Sequence, residues 1–162
     1  MGGAAGDGRL ILLAALALSA SGPADPRIFV EQLYERYREG RPAAHDDVDA
    51  IYARPLAAAI KTDARLAGPG EVGALDWDPI CDCQDGEGLR ANIRRIDRWH
   101  GNGFEVLVDL RFPGGAELRP ARLMLEYGAH GWRVADLTMK DGRSLRAWLD
   151  RQNALARGRL QR

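Results

Sequence analysis

The stretch Phe104-Glu105-Val106-Leu107-Val108-Asp109-Leu110-Arg111-Phe112 sets apolar residues at 104, 106, 108, 110 and 112 against Glu105, Leu107, Asp109 and Arg111. A period of two is that of a strand with one face buried and the other half-exposed. Upstream, His100-Gly101-Asn102-Gly103 carries the Asn-Gly step of a tight hairpin, which makes 91–99 a partner strand of weaker alternation. Downstream, 119–127 places Ala121, Leu123, Leu125 and Tyr127 on one face, with Pro120 near the start where a lost N–H is tolerated. Residues 128–131 turn the chain into a fourth strand, 132–140, which Asp141-Gly142 closes. Such short connections predict an antiparallel meander of four strands. Ser144 then caps a final helix bearing Leu145, Trp148 and Leu149, and 157–162 reads as a basic, frayed tail.

Ahead of residue 89 the period is near 3.6. Asp25-Pro26 opens a helix, since Asp caps free backbone N–H groups and Pro is tolerated in the first turn. Ile28, Phe29, Leu33, Tyr34 and Tyr37 follow at helical spacing, and Gly40 with Pro42 ends the segment. A shorter helix from Asp46 or Asp47 to Tyr52 presents Val48, Ile51 and Tyr52 on one side. Pro55 begins a third, with Leu56, Ala59, Ile60, Ala64 and Leu66 as its apolar stripe until Gly68-Pro69-Gly70. Three helices, four strands and one helix predict an α+β domain with helices packed on a curved four-stranded antiparallel sheet. Wrapped around the first helix, such a sheet forms a cone that is filled by side chains or open as a pocket. With no internal repeat and no low-complexity linker, 25–156 is expected to be one domain.

The 162 residues carry 23 Lys plus Arg against 23 Asp plus Glu, a net charge of zero that argues against a generic nucleic-acid or anionic-membrane binder. At 46% apolar and 28% charged residues the composition is globular. Residues 10–20, Leu-Ile-Leu-Leu-Ala-Ala-Leu-Ala-Leu-Ser-Ala, form an apolar run too short for the roughly 20 residues of a membrane span. Preceded by Arg9 and followed by small residues, it reads as the core of a signal peptide over 1–24, with cleavage after Ser19, Ser21 or Ala24. An uncleaved anchor or a buried amino-terminal helix is the competing reading. Export places the protein in the periplasm or outside the cell, with no stable membrane span once the signal is removed.

The words Leu75-Asp76-Trp77-Asp78-Pro79-Ile80-Cys81-Asp82-Cys83-Gln84-Asp85, between helices and sheet, resemble the Asp-Pro then Gln-Asp signature of an exported bacterial family of unknown function. The ending Gly131-Trp132-Arg133-Val134-Ala135-Asp136-Leu137, followed by Asp141-Gly142-Arg143-Ser144-Leu145, is similar too. The resemblance runs from about Pro26 to Leu149. It implies export and a cone fold similar to nuclear transport factor 2 and the cystatin-like superfamily, and it lends no activity. Cys81 and Cys83 depart from the pattern, where apolar or small residues are expected.

Those two cysteines are the chain's only thiols. Spaced Cys-x-Cys, they admit a small reducible ring with a redox role, pairing between chains, or a plain pair of small, partly buried residues. A metal site would need two more ligands, and none stands at a telling spacing; His45, His100 and His130 all read as turn or loop residues. No metal and no cofactor is expected. Asp76, Asp78, Asp82 and Asp85 cluster, so Asp78 or Asp85 could serve as an acid or base in an apolar cone. The simpler reading has Asp78 capping a turn and Asp85 satisfying backbone groups. Gln84 offers a donor and an acceptor to a ligand. Tyr34, Tyr37 and Trp132, with Tyr52, Trp77 and Trp99, could line a pocket mouth, although aromatics at these periods more often fill a core. Arg90, Arg94, Arg95 and Arg98 read as a charged, aggregation-resistant sheet edge.

These features favour a non-enzymatic exported binding module recognising a protein or a small ligand in the cell envelope, an inhibitor or immunity role included. Its ligand-binding candidates are Tyr34, Tyr37, Asp78, Gln84, Asp85 and Trp132. The alternatives are a small hydrolase or isomerase using Asp78 or Asp85, and a redox-responsive protein working through Cys81 and Cys83. A homodimer through the open face of the sheet is compatible with the residues and not required by them.

Overall fold

The computed structural model describes residues 25–41, 47–115 and 118–162. The expected signal peptide over 1–24 and His45 lie outside them. Among the described residues, four helices and four strands follow one another as α1 (Pro26–Arg38), α2 (Val48–Ile51), α3 (Arg54–Ala67), β1 (Arg90–Arg98), β2 (Phe104–Arg111), β3 (Leu118–Gly128), β4 (Gly131–Thr138) and α4 (Leu145–Leu160). The strands form an open antiparallel sheet in the order β1-β2-β3-β4. This is the α+β meander that the alternation at 104–112 predicts.

Val106, Val108 and Leu110 of β2 face inward and are buried, opposite Leu123 and Ala121 on β3. Two irregularities keep the flanking strands on that face. On β1, Ile93 pairs with Val108 and Arg95 with Leu107, so Arg94 is the extra residue. That bulge lets Ile93 and Ile96, three apart, both point inward. On β4, Leu125 pairs with Val134 and Met124 with Asp136, leaving Ala135 extra, so Val134 and Leu137 share the buried face in the same way. The weak alternation of β1 in sequence is thus a bulge, not a weak strand.

The helices cover the inward face and bury Val30, Leu33, Leu56, Ile60 and Leu149 in one cluster with the sheet. Asp25 caps α1 by accepting from the Arg27 N–H at 2.9 Å, and Ser144 caps α4 by accepting from the Ala147 N–H at 3.0 Å. Three helical expectations need correction. Ile28 is 49% exposed, and fully buried Val30 takes its place in the stripe. On α3 the buried position is Asp63 and not Ala64, which is exposed. The Asp63 carboxylate is satisfied there by the Ala74 and Leu75 N–H groups, at 3.0 and 2.9 Å, and so ties the following loop to the helix. Arg157 and Arg159, read as a frayed end, stand in the last turn of α4, where cations complement the helix dipole.

The last departure shapes the surface. Equal lengths are expected for β3 and β4, yet β3 has 11 residues and β4 has 8. Their pairing stops at Arg122 with Thr138. Asp136 draws the chain away early, accepting from the Ser144 hydroxyl and from the Arg146 N–H at 3.1 Å. Met139 then turns back through its N–H to the Arg143 carbonyl at 2.8 Å. Residues 118–121 of β3 therefore pair with β2 alone within the sheet.

Leu123→Ala is expected to lower unfolding stability by about 2–5 kcal/mol, through lost burial and the cavity left behind. Glu126→Ala, on the outer face of the same strand, should stay within about 0.5 kcal/mol of the parent in the same urea titration.

Candidate functional site

The loop from Leu75 to Gly86 crosses the end of the sheet and is held from several sides. Leu75 is buried, and Trp77 stacks at 5.3 Å on Trp148 of α4. Asp78 and Cys83 exchange backbone bonds, Asp78 N–H to Cys83 carbonyl at 2.9 Å and Cys83 N–H to Asp78 carbonyl at 3.3 Å. Within this narrow hairpin Cys81 and Cys83 form a disulfide with Cα atoms 5.2 Å apart, correcting the reading of a plain pair of small residues. Asp82 sits at the tip with a φ of +50°, in the left-handed region that Asp tolerates better than most residues, and its carboxylate meets Lys140 at 3.1 Å.

Beneath the hairpin, α1 supplies two phenols. Tyr34 donates to the Ile80 carbonyl at 3.0 Å, and Tyr37 donates to Asp78 Oδ2 at 2.7 Å. Asp78 Oδ1 accepts from the Ile80 N–H at 2.9 Å. Tyr37 also accepts through its carbonyl from the Gly88 N–H at 2.9 Å. Gly86 is required where it passes Tyr37, because a Cβ there would lie 2.7 Å from the ring and 3.2 Å from Cys83 Sγ. Burial, and after it the negative charge of Asp78, pushes the pKa of Tyr34, Tyr37 and Tyr52 far above the ordinary phenol value. All three phenols are thus held neutral, Tyr34 and Tyr37 as hydrogen-bond donors.

The expected site residues part company here. Tyr34 and Tyr37 are buried and hold the loop from below, and Tyr34 also lines a groove of about 490 Å³ between α1 and β1. Trp132 is buried too, edge-on to Phe104 at 5.5 Å and Tyr127 at 5.0 Å. Gln84 and Asp85 are exposed, and Asp85 accepts from the Glu87 N–H at 3.1 Å, an Asx turn outside the core. Asp78 spends both carboxylate oxygens on loop and helix, as a turn cap does. His100 and His130 are exposed in turns, and no three metal-ligating side chains come together among the described residues.

Two adjoining grooves flank the disulfide hairpin. The first, of about 470 Å³, opens where β4 has left β3: Leu107, Leu110, Ala121 and Leu137 line it between Ile80–Asp82 on one side and Met139–Lys140 on the other, with Arg119 and Arg122 at its rim. The second, of about 520 Å³, is shallower and brings Gln84 and Asp85 together with Trp77, Cys83 and Phe112. Asp82, Arg119 and Lys140 line both. Sequence reasoning reached Gln84 and Asp85 and missed the first groove, because the groove arises from the unequal lengths of β3 and β4. Asp136, placed to bond the α4 terminus, was its one available signal.

No family model matches the chain. It is similar to the uncharacterized protein YqhG of Escherichia coli (strain K12), at 28% identity over 146 residues. The match covers 85% of this chain and 47% of YqhG, so the chain spans about half the length of that relative. Among solved structures, a phospholipid-binding protein from Ralstonia solanacearum, in complex with a phospholipid, aligns at a TM-score of 0.37 and 10% identity. It covers 76% of this chain and 74% of that one, a likeness too slight to carry fold or ligand across.

Asp78→Asn keeps the shape and removes the charge-assisted bond from Tyr37; a loss of about 1–3 kcal/mol in urea unfolding is expected. The raised phenols set an alkaline limit. Because the folded-state pKa values lie above the unfolded one, their contribution is intact below pH 10.0, the ordinary phenol value, and falls away as pH rises beyond it. A spectrophotometric titration should show the three phenols ionising together with unfolding and not before it.

Proposed function

We propose that the protein is an exported, non-enzymatic binding module, of the cone form shared by nuclear transport factor 2 relatives, that takes a small ligand in the groove between β3 and the disulfide hairpin. The observation that carries this reading is a groove of about 470 Å³ with an apolar floor and a cationic rim, built on elements whose polar interior is already spent on holding them. Its size falls within the roughly 300–1,000 Å³ of small-molecule sites. Of the two carboxylates a hydrolase or isomerase reading would use, Asp78 does not line that groove, and Asp85 lines the shallower one, exposed and accepting from the Glu87 N–H. Export fits the apolar run at 10–20, and an oxidising compartment fits the Cys81–Cys83 disulfide.

Two measurements test the reading. Intact mass spectrometry of protein recovered from the periplasm is expected to give a mass beginning between Ala20 and Asp25, lower by two hydrogens until reductant is added. An unprocessed, fully reduced mass would sink the export argument. Amide chemical shifts recorded against a panel of small amphiphiles should move at 80–82, 118–121 and 137–142, and Ala121→Trp, which fills the floor, should abolish the response. Shifts confined to other surfaces would remove the groove from the function.

A further inference from the structure

The three cations around the grooves are not equivalent. Arg122 pairs with Glu105 at 3.3 Å and Lys140 with Asp82 at 3.1 Å. Arg119 has no carboxylate within ion-pairing distance among the described residues; its guanidinium lies over the Phe112 ring, 4.7 Å from the centroid. Stacking holds one face of the guanidinium and leaves its edge of N–H donors available, the geometry that suits a carboxylate or phosphate. Arg119 stands on the unmatched half of β3, where the two grooves join, with Lys140 lining the same junction. Leading away from that junction is the apolar floor of Leu110, Ala121 and Leu137, continued at the rim by Leu118, which is 45% exposed. In a chain of zero net charge, a stacked arginine with no ion-pair partner among the described residues, set beside an apolar trough, is a local arrangement and not a consequence of overall basicity.

We propose that the joined grooves bind an amphipathic anion, with a carboxylate or phosphate monoester head on Arg119 and Lys140 and an unbranched apolar tail along the floor between β3 and Met139. This deepens the groove reading above and rests on it. The head competes with Asp82 for Lys140, so binding exchanges an exposed ion pair, worth little in water, for charge-assisted bonds beside an apolar wall. The disulfide keeps Asp82 at the hairpin tip, within reach of Lys140 and clear of the floor. Affinity is accordingly expected to fall with added salt, as partly exposed charge contacts do.

The test is calorimetric titration of the oxidised protein with decanoate, decyl phosphate, decyl maltoside and inorganic phosphate, each below its micellar concentration. Vesicles of phosphatidylcholine containing phosphatidic acid form a fifth arm. The expected result is saturable one-to-one binding of decanoate or decyl phosphate, weakened about tenfold or more by Arg119→Ala, the scale of one charge-assisted hydrogen bond. Arg119→Lys should recover part of it and Leu118→Glu should weaken it, with circular dichroism confirming that each variant is folded. Decyl maltoside binding as tightly as decanoate, or an unchanged Arg119→Ala, would overturn the anionic head; the groove reading would survive if Ala121→Trp still abolished binding. Inorganic phosphate binding as tightly as decyl phosphate would overturn the tail. Binding to vesicles with none to the monomeric anions would overturn the enclosed ligand in favour of a bilayer headgroup. No binding by any alkyl probe would overturn the proposal, and chemical shifts that still respond to other amphiphiles would leave the groove reading standing.

Discussion

The hydrogen bond from Tyr37 to Asp78 joins the two halves of the chain, and the surface beside it depends on that bond. Tyr37 lies near the end of α1, and Asp78 opens the hairpin that crosses the end of the sheet. Inside a protein such a bond is stronger than in water, and leaving either partner alone would be costly. The other ties reinforce this one: Tyr34 holds the Ile80 carbonyl, Gly88 bonds the Tyr37 carbonyl, and Gly86 admits the ring because it has no side chain. The hairpin is thereby fixed as one wall of a groove whose floor comes from a different part of the molecule.

That floor exists because four strands of unequal length share one buried face. Bulges at Arg94 and Ala135 keep Ile93, Ile96, Val134 and Leu137 turned inward although each pair is three residues apart. The β4 bulge comes just before Asp136, whose carboxylate takes up the start of α4 and ends the strand at Thr138. The unmatched residues of β3 meet no neighbouring strand there, and Pro120, lacking an N–H, makes this stretch a poor template for edge-to-edge pairing. An edge blunted in this way suits a side-chain groove better than the capture of an extended peptide.

The sheet was legible in the sequence because β2 obeys a strict period of two and the hairpin after β1 carries Asn-Gly; the helices were legible from caps at Asp25 and Ser144. What escaped was whatever depends on partners far along the chain. Asp63 breaks the apolar stripe of α3 because two backbone N–H groups of a later loop satisfy it, which no pattern within the helix reveals. Tyr34 and Tyr37 were legible as inward-facing aromatics, but their hydroxyls find acceptors more than forty residues on. Gln84 and Asp85 were reached through local composition and the Gln-Asp signature, and they fall in the shallower groove. Arg119 had no signal: as one arginine among many, it becomes distinctive only when Arg122 and Lys140 are seen paired and it has no such partner among the described residues.

The separation of the half-buried Asp78 carboxylate from the open groove bears on the kind of function the fold supports. A general base must be able to exchange its proton with a substrate, which requires an oxygen within hydrogen-bond reach of a place where substrate can sit. Asp78 has given its oxygens to Tyr37 and to the Ile80 backbone, beneath a hairpin that Cys81–Cys83 closes. The same commitment helps recognition. A wall fixed by a buried phenol, a carboxylate and a disulfide loses little freedom when a ligand arrives, so less of the contact energy is spent on ordering the site. The side chains of Lys140 and Asp82 form an ion pair exposed enough to part at small cost, placed where an anion entering the proposed site would meet it. On the proposed reading, rigid walls with a yielding ion pair at the entrance let the site discriminate by charge at the head and by length along the floor.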